Sequence, residues 1–321
     1  MPPLNAPDPA RVEASTADIS RRRFMQSTGV ATIGLLAGAR AAKAAARPAA
    51  PFRFGVLTDA HYADIPPRGT RYHRDSADKL AACVRVFNEI GVAFAIEIGD
   101  LKDQDERPVE AATLGYLRRA EGILRGFRGP LYHVVGNHDV DSLSKAEFLG
   151  AVVNTRTAPD ASHYAWNAGG LRFVVLDACY DAHGAPYDRG AFAWTDCQIP
   201  QDQLDWLRNE LRAATEPVIV FTHQRLDGED DTCVRNAAAV RSVLEADGRV
   251  LAVFQGHHHA GAYAYLNGIH YYTLRAMVEG PGLENNAYAV VETAPDGNIV
   301  VTGHGRATSM TLPSNAAGIA R

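Results

Sequence analysis

An α/β fold, with two β-sheets packed on each other and helices outside, is what this 321-residue sequence predicts. Three observations carry the prediction. Short apolar runs alternate with amphipathic stretches of helical period. Five of the apolar runs end in a polar cluster: Asp59 and His61, Asp100, Asn137 and His138, His223, and His257 with His259. Gly-containing turns then join further apolar runs as hairpins. In α/β sheets, ligands bind in the crevice outside the carboxyl ends of the strands. If the five runs share sheets, their clusters converge there.

The elements follow in order. "FRFGVLT" is a strand, and "DAH" follows it. "DSADKLAACVRVFNEIG" has helical spacing, with Asp75 or Ser76 able to cap it. "VAFAIEI" is a strand before "GD", and a helix is expected from Glu106 to Leu124. "PLYHVV" is a strand before "GNHD". "HYAWNAGGLRFVVLDA" reads as a hairpin across Gly169-Gly170. "PQDQLDWLRNELRAA" is an amphipathic helix, "PVIVFT" a strand before His223, and 234–246 a helix. "RVLAVFQ" is a strand before "GHHH". "AYAYLNGIHYYTL" and "AYAVVETAPDGNIVVTG" are hairpins with Asn-Gly and Asp-Gly turns. No internal repeat or low-complexity linker follows residue 51. One domain is expected over 52–305, with a C-terminal tail over 306–321.

Composition is ordinary for a globular chain, 46% hydrophobic and 21% charged, which leaves ample material for a core. Net charge is −5, and no basic block follows the N-terminal region, so a nucleic-acid polymer is not an expected partner. The N-terminus reads differently. Ser20-Arg21-Arg22-Arg23-Phe24 precedes a weakly apolar run from Ser27 to Ala39, and Ala42-Lys43-Ala44 offers a small-residue cleavage site. The run is too short for a stable membrane span. Residues 1–44 resemble a twin-arginine signal peptide, followed by a linker over 45–51. That resemblance implies the twin-arginine export machinery as a partner and a periplasmic or secreted destination. Removing 1–44 takes away six basic and three acidic residues and leaves a net charge of −8. Cys83, Cys179, Cys197 and Cys233 form no CxxC pair, so a thiolate zinc site has no support. In an oxidising compartment a disulfide is possible, and loop-like placement singles out Cys197–Cys233 as the pair; four buried free thiols are the default reading.

The strand-end inventory is two Asp, one Asn and four or five His, without Cys. Mixed oxygen and nitrogen donors suit Mn, Fe, Zn or Co better than Mg or Ca. Seven side chains are too many for one ion and suit two ions sharing a carboxylate, an arrangement that serves phosphoester hydrolysis. In "GHHH", residues of an extended segment alternate sides, so His257 and His259 face one way and His258 the other. Isolated histidines such as His133, His163 and His270 are assigned no role.

"DAH", "GDLKD", "GNHD", "TH" and "GHHH", in this order, resemble the calcineurin-like metallophosphoesterase pattern D-x-H, G-D-x-x-[DYE], G-N-H-[DE], H and G-H-x-H. One block is weak; five in order at strand ends are specific. The resemblance implies a four-layer αββα sandwich with two mixed β-sheets flanked by helices. It implies two divalent or mixed-valence transition-metal ions, Mn or Fe ahead of Zn. By motif position, Asp59, His61 and His259 hold one ion, Asn137, His223 and His257 the other, and Asp100 bridges them. The resemblance further implies a hydroxide between the metals as attacking group and His138 as the acid for the leaving oxygen, with Asp139 expected to orient it and raise its pKa. Asp103 stands where purple acid phosphatases carry tyrosine, which argues against a tyrosine-ligated ferric site. Asp177 has no ligand role in the pattern and is expected to support or cap.

A narrower resemblance joins "FGVLTDAHYAD", "RYHRDSADKL" and "YYTLRAMVEGPGLENNAY" to manganese-dependent ADP-ribose/CDP-alcohol diphosphatases. His61 departs from that group, whose members carry Gln there. The expected activity is hydrolysis of a small-molecule phosphoester or nucleotide diphosphate. A phosphomonoesterase, a cyclic-nucleotide phosphodiesterase and a non-catalytic metal-dependent scaffold are the alternatives.

Overall fold

The computed structural model describes residues 51–314. The export signal read over 1–44 lies outside the described residues, as does nearly all of the 45–51 linker. Twelve strands and five α-helices make up the described chain. The strands are β1 (Phe52–Leu57), β2 (Ala95–Glu97), β3 (Leu131–His133), β4 (Tyr164–Ala168), β5 (Leu171–Val175), β6 (Val218–Thr222), β7 (Val250–Gln255), β8 (Ala262–Leu266), β9 (Ile269–Thr273), β10 (Ala287–Thr293), β11 (Ile299–Gly305) and β12 (Met310–Leu312). The helices are α1 (Ser76–Ile90), α2 (Glu110–Leu124), α3 (Lys145–Ala151), α4 (Gln201–Ala213) and α5 (Ala237–Asp247).

Two six-stranded mixed sheets result, ordered β12-β11-β10-β1-β2-β3 and β4-β5-β6-β7-β9-β8. β1, β2 and β3 are parallel neighbours in the first, and β6 and β7 in the second. These are the five strands whose ends carry the polar clusters, so parallel pairing delivers three clusters to one sheet edge and two to the other. The flanking hairpin strands pair antiparallel, as their turns require.

Alternation along each strand separates two apolar layers. One face of β1 and β2 sends Phe54, Val56, Ile96 and Ile98 inward, where they meet Phe173, Phe221 and Phe254 of the second sheet. The rings stack and interlock, with Phe54 5.0 Å from Phe94 and Phe173 4.9 Å from Phe94. Each such buried side chain contributes roughly 1.5–3 kcal/mol. The other face meets the helices. Gly55 leaves room for the Phe87 ring of α1, which a Cβ would meet at 2.5 Å. On the second sheet, Gln203 of α4 accepts from the Asp177 N–H at 2.9 Å and donates to its carbonyl at 2.8 Å. The order is therefore helix, sheet, sheet, helix.

Four details depart from the sequence reading. The 306–321 segment is not simply a tail, because β12 pairs antiparallel with β11. α2 begins at Glu110 rather than Glu106. Asp75 stands at the α1 N-cap but makes no cap; its carboxylate accepts from the Gly282 N–H at 2.8 Å instead. α3 was not expected, though Ser144 and Glu147 form a capping box at its start.

Candidate metal centre

The chain leaves β1 and β2 side by side and stays paired beyond the regular ladder. Asp59 N–H donates to Gly99 O at 3.0 Å, and His61 N–H to Asp100 O at 2.9 Å. The backbone there is strained. Seven non-glycine residues among those described have positive φ, and four are Asp59 (52°), His61 (45°), Asp100 (61°) and His257 (65°). Each such conformation costs on the order of 1–3 kcal/mol and persists only where surroundings impose it. Close approach is also demanded at Gly256, where a Cβ would lie 2.2 Å from Thr58 Oγ1 and 2.9 Å from Asp59 Oδ2.

All five clusters meet. His61 Nε2 lies 3.1 Å from His259 Nε2, and Asp59 Oδ1 lies 3.6 and 3.4 Å from them. Asp100, His223 and His257 form a second group of converging donors. Asp100 Oδ2 sits between the two groups, 3.5 Å from His61 Nε2 and 3.1 Å from His223 Nε2. Its other oxygen accepts from the His138 N–H at 2.7 Å. His258 belongs to neither group.

The donor atoms are left bare. Asp59 Oδ1, Asn137 Oδ1, His223 Nε2 and His257 Nε2 are buried with no hydrogen-bond partner. Each unpartnered group costs about 1–3 kcal/mol unless something else satisfies it. His223 Nδ1 donates to Ile98 O at 2.8 Å, which turns its Nε2 lone pair onto the Asp100 carboxylate. Burial opposes a charge on His223, but Asp100 outweighs it and raises the imidazole to about 9. Burial and the neighbouring His223 push His257 down to about 3. Two acceptors face each other where a cation can replace a proton. This neutral-imidazole, carboxylate and amide set fits divalent transition metals.

His138 stands at the rim, its side chain 28% exposed and its ring 4.6 Å from that of His61. Its Nδ1 faces Asp103 Oδ1 at 3.6 Å and Asp141 Oδ2 at 3.4 Å. Burial opposes the charge, yet Asp100, Asp103 and Asp141 raise His138 to about 10. The expected orienting role of Asp139 is not what its contacts describe. Its carboxylate accepts from the N–H groups of Asp100, Leu101 and Gly136 at 2.9, 3.0 and 2.9 Å. Asp139 thus ties the two strand-end loops together, and burial with the Asp100 charge raises it to about 6.

Asp103 is the residue that sequence reasoning undervalued. Besides His138, its Oδ2 lies 3.3 Å from His61 Nδ1 and 3.6 Å from His73 Nδ1. Burial would raise its carboxyl; His138 and His61 hold it well below the usual range. Glu279 was missed as a site residue, and its carboxylate faces His259 Nδ1 at 2.6 Å. Asp177 does support, holding Lys145 Nζ at 2.6 Å and accepting from the Cys179 N–H at 2.9 Å. All four cysteines are free and buried, the default reading of the sequence, and Cys197 Sγ lies 3.6 Å from Cys233 O rather than in a disulfide.

A four-layer sandwich with a polar pit of carboxylates, imidazoles and one amide at converging strand ends defines a metal-dependent phosphoesterase. The chain belongs to the calcineurin-like phosphoesterase family, which it matches over residues 52–261. It is 27% identical to the manganese-dependent ADP-ribose/CDP-alcohol diphosphatase of Oryza sativa subsp. japonica, over 78% of this chain and 90% of the rice protein. The protein of that name from Arabidopsis thaliana is 26% identical, over 72% of this chain and 87% of the plant protein. Among solved structures, a dimetal phosphatase from Danio rerio is 25% identical and superposes with a TM-score of 0.71, covering 82% of this chain and 98% of that one. A purple acid phosphatase from yellow lupin shares the fold, with 12% identity, a TM-score of 0.55, and coverage of 85% of this chain and 55% of that one.

Proposed function

We propose that this protein is a dinuclear, manganese-dependent hydrolase of nucleotide diphosphate linkages, of the kind found in ADP-ribose and CDP-alcohols. The observation that carries the reading is Asp100 Oδ2, poised between two groups of otherwise unsatisfied donors. Asp59, His61 and His259 would hold one ion, and Asn137, His223 and His257 the other, with Asp100 shared. The chemistry supplied there is Lewis-acidic: charge on the phosphoryl oxygens and a lowered pKa for water. The protein's own part is to hold the donors neutral or anionic and to place His138 at the open rim. His138 delivers a proton from its Nε2 to the leaving oxygen, while Asp103 and Asp141 orient its Nδ1. The diphosphate preference is supported by the plant relatives and rests on them. Export through the twin-arginine route, with action in the periplasm or outside the cell, is supported by Ser20–Phe24 and the run that follows.

The test is reconstitution of residues 45–321 with Mn²⁺, followed by elemental analysis and a substrate panel. About two ions per chain and preferential cleavage of ADP-ribose or CDP-alcohols are expected. Faster turnover of monoesters or cyclic nucleotides would reassign the substrate, and failure to bind Mn²⁺ would overturn the dinuclear reading. A protein that binds two ions but hydrolyses nothing on the panel would point to a binding scaffold.

A further inference from the structure

The loop 276–280 is anchored more heavily than a surface connection needs. Ala276 N–H donates to His259 O at 3.2 Å, Met277 N–H to Thr58 O at 3.2 Å, and Val278 N–H to Asp59 O at 3.0 Å. From the other side, Tyr72 N–H donates to Val278 O at 2.9 Å, and Gly280 N–H to Thr70 O at 2.9 Å. Beneath the loop lies Lys79 of α1, fully buried. Its ammonium donates to the carbonyls of Met277, Glu279 and Gly280 at 2.8, 3.3 and 2.7 Å. A lysine buried without a carboxylate partner is costly, and three carbonyls are what offset that cost here. The loop thus fixed carries one carboxylate aimed at the candidate metal centre, Glu279 Oε1, 2.6 Å from His259 Nδ1.

We propose that Glu279 is a positioning residue for the metal centre: it accepts a hydrogen bond from His259 Nδ1–H, turns Nε2 toward Asp59 and His61, and is itself held in place by Lys79. A carboxylate can only accept, so the proton resides on Nδ1 and the other nitrogen is left as a lone pair. The same contact makes the imidazole a better donor to a cation, because negative charge behind the ring raises its basicity. The partner of His223 is by contrast a neutral carbonyl, that of Ile98. Carboxylate support therefore falls on the ion held with Asp59 rather than on the one held with His223.

The inference rests on the dinuclear reading, and the experiment separates the two. Mn²⁺ binding to the metal-free protein is measured by calorimetry for wild type, Glu279→Gln and Glu279→Ala, with thermal melting of each metal-free form. Glu279→Ala is expected to weaken one of two binding steps by about 10- to 100-fold and to leave the other within a few-fold. Glu279→Gln keeps an acceptor without the charge and should recover part of the loss. Melting of the metal-free forms should be unchanged, which a merely structural role would not allow. Wild-type affinity at both steps in both variants would overturn the inference while leaving the dinuclear reading intact. Equal weakening of both steps together with a lower melting temperature would also overturn it. If the wild type binds no Mn²⁺, the dinuclear reading itself fails.

Discussion

At the scale of single residues, the centre is a set of imidazoles sorted by their carboxylate neighbours. His138 is partly exposed and raised to about 10, and as the proposed acid its worth should depend on the leaving group. An alkoxide is strongly basic and gains most from an acid; a nitrophenolate gains little. General acid catalysis typically contributes about 10²–10⁴-fold. His138→Ala should therefore slow alkyl phosphoesters by that order and nitrophenyl esters much less, with both Mn²⁺ ions retained. Measuring kcat/KM on both ester types decides it, and equal losses would mean that His138 only binds the phosphoryl group. The seven candidate donors and His138 were legible in the sequence because each follows a strand at fixed motif spacing. The orienting carboxylate was misread as Asp139 because adjacency in sequence suggested it. In the short helical turn His138–Val140, neighbouring side chains point apart, so Asp139 turns into the loops. Asp103 and Asp141 reach His138 instead, the latter at i+3.

The strands and helices were legible as elements, and the loops between them were not. Periodicity and turn residues located eleven of the twelve described strands, including the Gly-Gly, Asn-Gly and Asp-Gly hairpins, because those patterns depend on local burial and turn chemistry. β12 escaped, being only three residues long, too short for a periodic pattern to show. Glu279 and Lys79 escaped because they meet the site through loops, across a separation of 200 residues for Lys79 and the Glu279 carbonyl. The elements also set where change is tolerated. Gly99 has φ of 92°, and a Cβ there would lie 2.5 Å from the His223 ring. Gly99→Ala should therefore lower stability by about 1–3 kcal/mol and impair Mn²⁺ binding. Gly115, exposed inside α2 with nothing within 4 Å of its Cβ, supplies the contrast. Gly115→Ala should raise stability by roughly 0.5–1 kcal/mol. Chemical denaturation of the two variants checks both signs, and a destabilised Gly115→Ala would refute the helix argument.

For the whole molecule, two properties follow from how charge is distributed along the chain and within it. The arginine pair near the N-terminus is read by an export receptor as an address if the proposed route is right. Arg21→Lys with Arg22→Lys should leave the precursor in the cytoplasm, and fractionation that finds it exported normally would assign the chain to another pathway.

The second property is the part of the stability that Glu97 sets, which falls as pH rises. Glu97 closes β2 between Leu57 and His133, fully buried, and neither carboxylate oxygen has a hydrogen-bond partner. Burial, reinforced by the charges of Asp139, Asp59 and Asp100, raises its pKa well above the usual 4.5. The folded state therefore keeps a proton that the unfolded chain releases. The stability this contributes is fully present below about pH 4.5, the unfolded value, and is lost as pH climbs through the raised folded value. Bound cations would counter the same negative charges, so the effect belongs to the metal-free protein. Glu97→Gln removes the titration while keeping the shape. Metal-free Glu97→Gln should be more stable than wild type at pH 8, and the gain should shrink toward nothing as pH falls to 4.5. Urea unfolding of both proteins across that range is the measurement. Parallel stability curves would mean that the unfolded chain holds the Glu97 proton as tightly as the fold does, and that the negative charge crowded around the pit is relieved elsewhere.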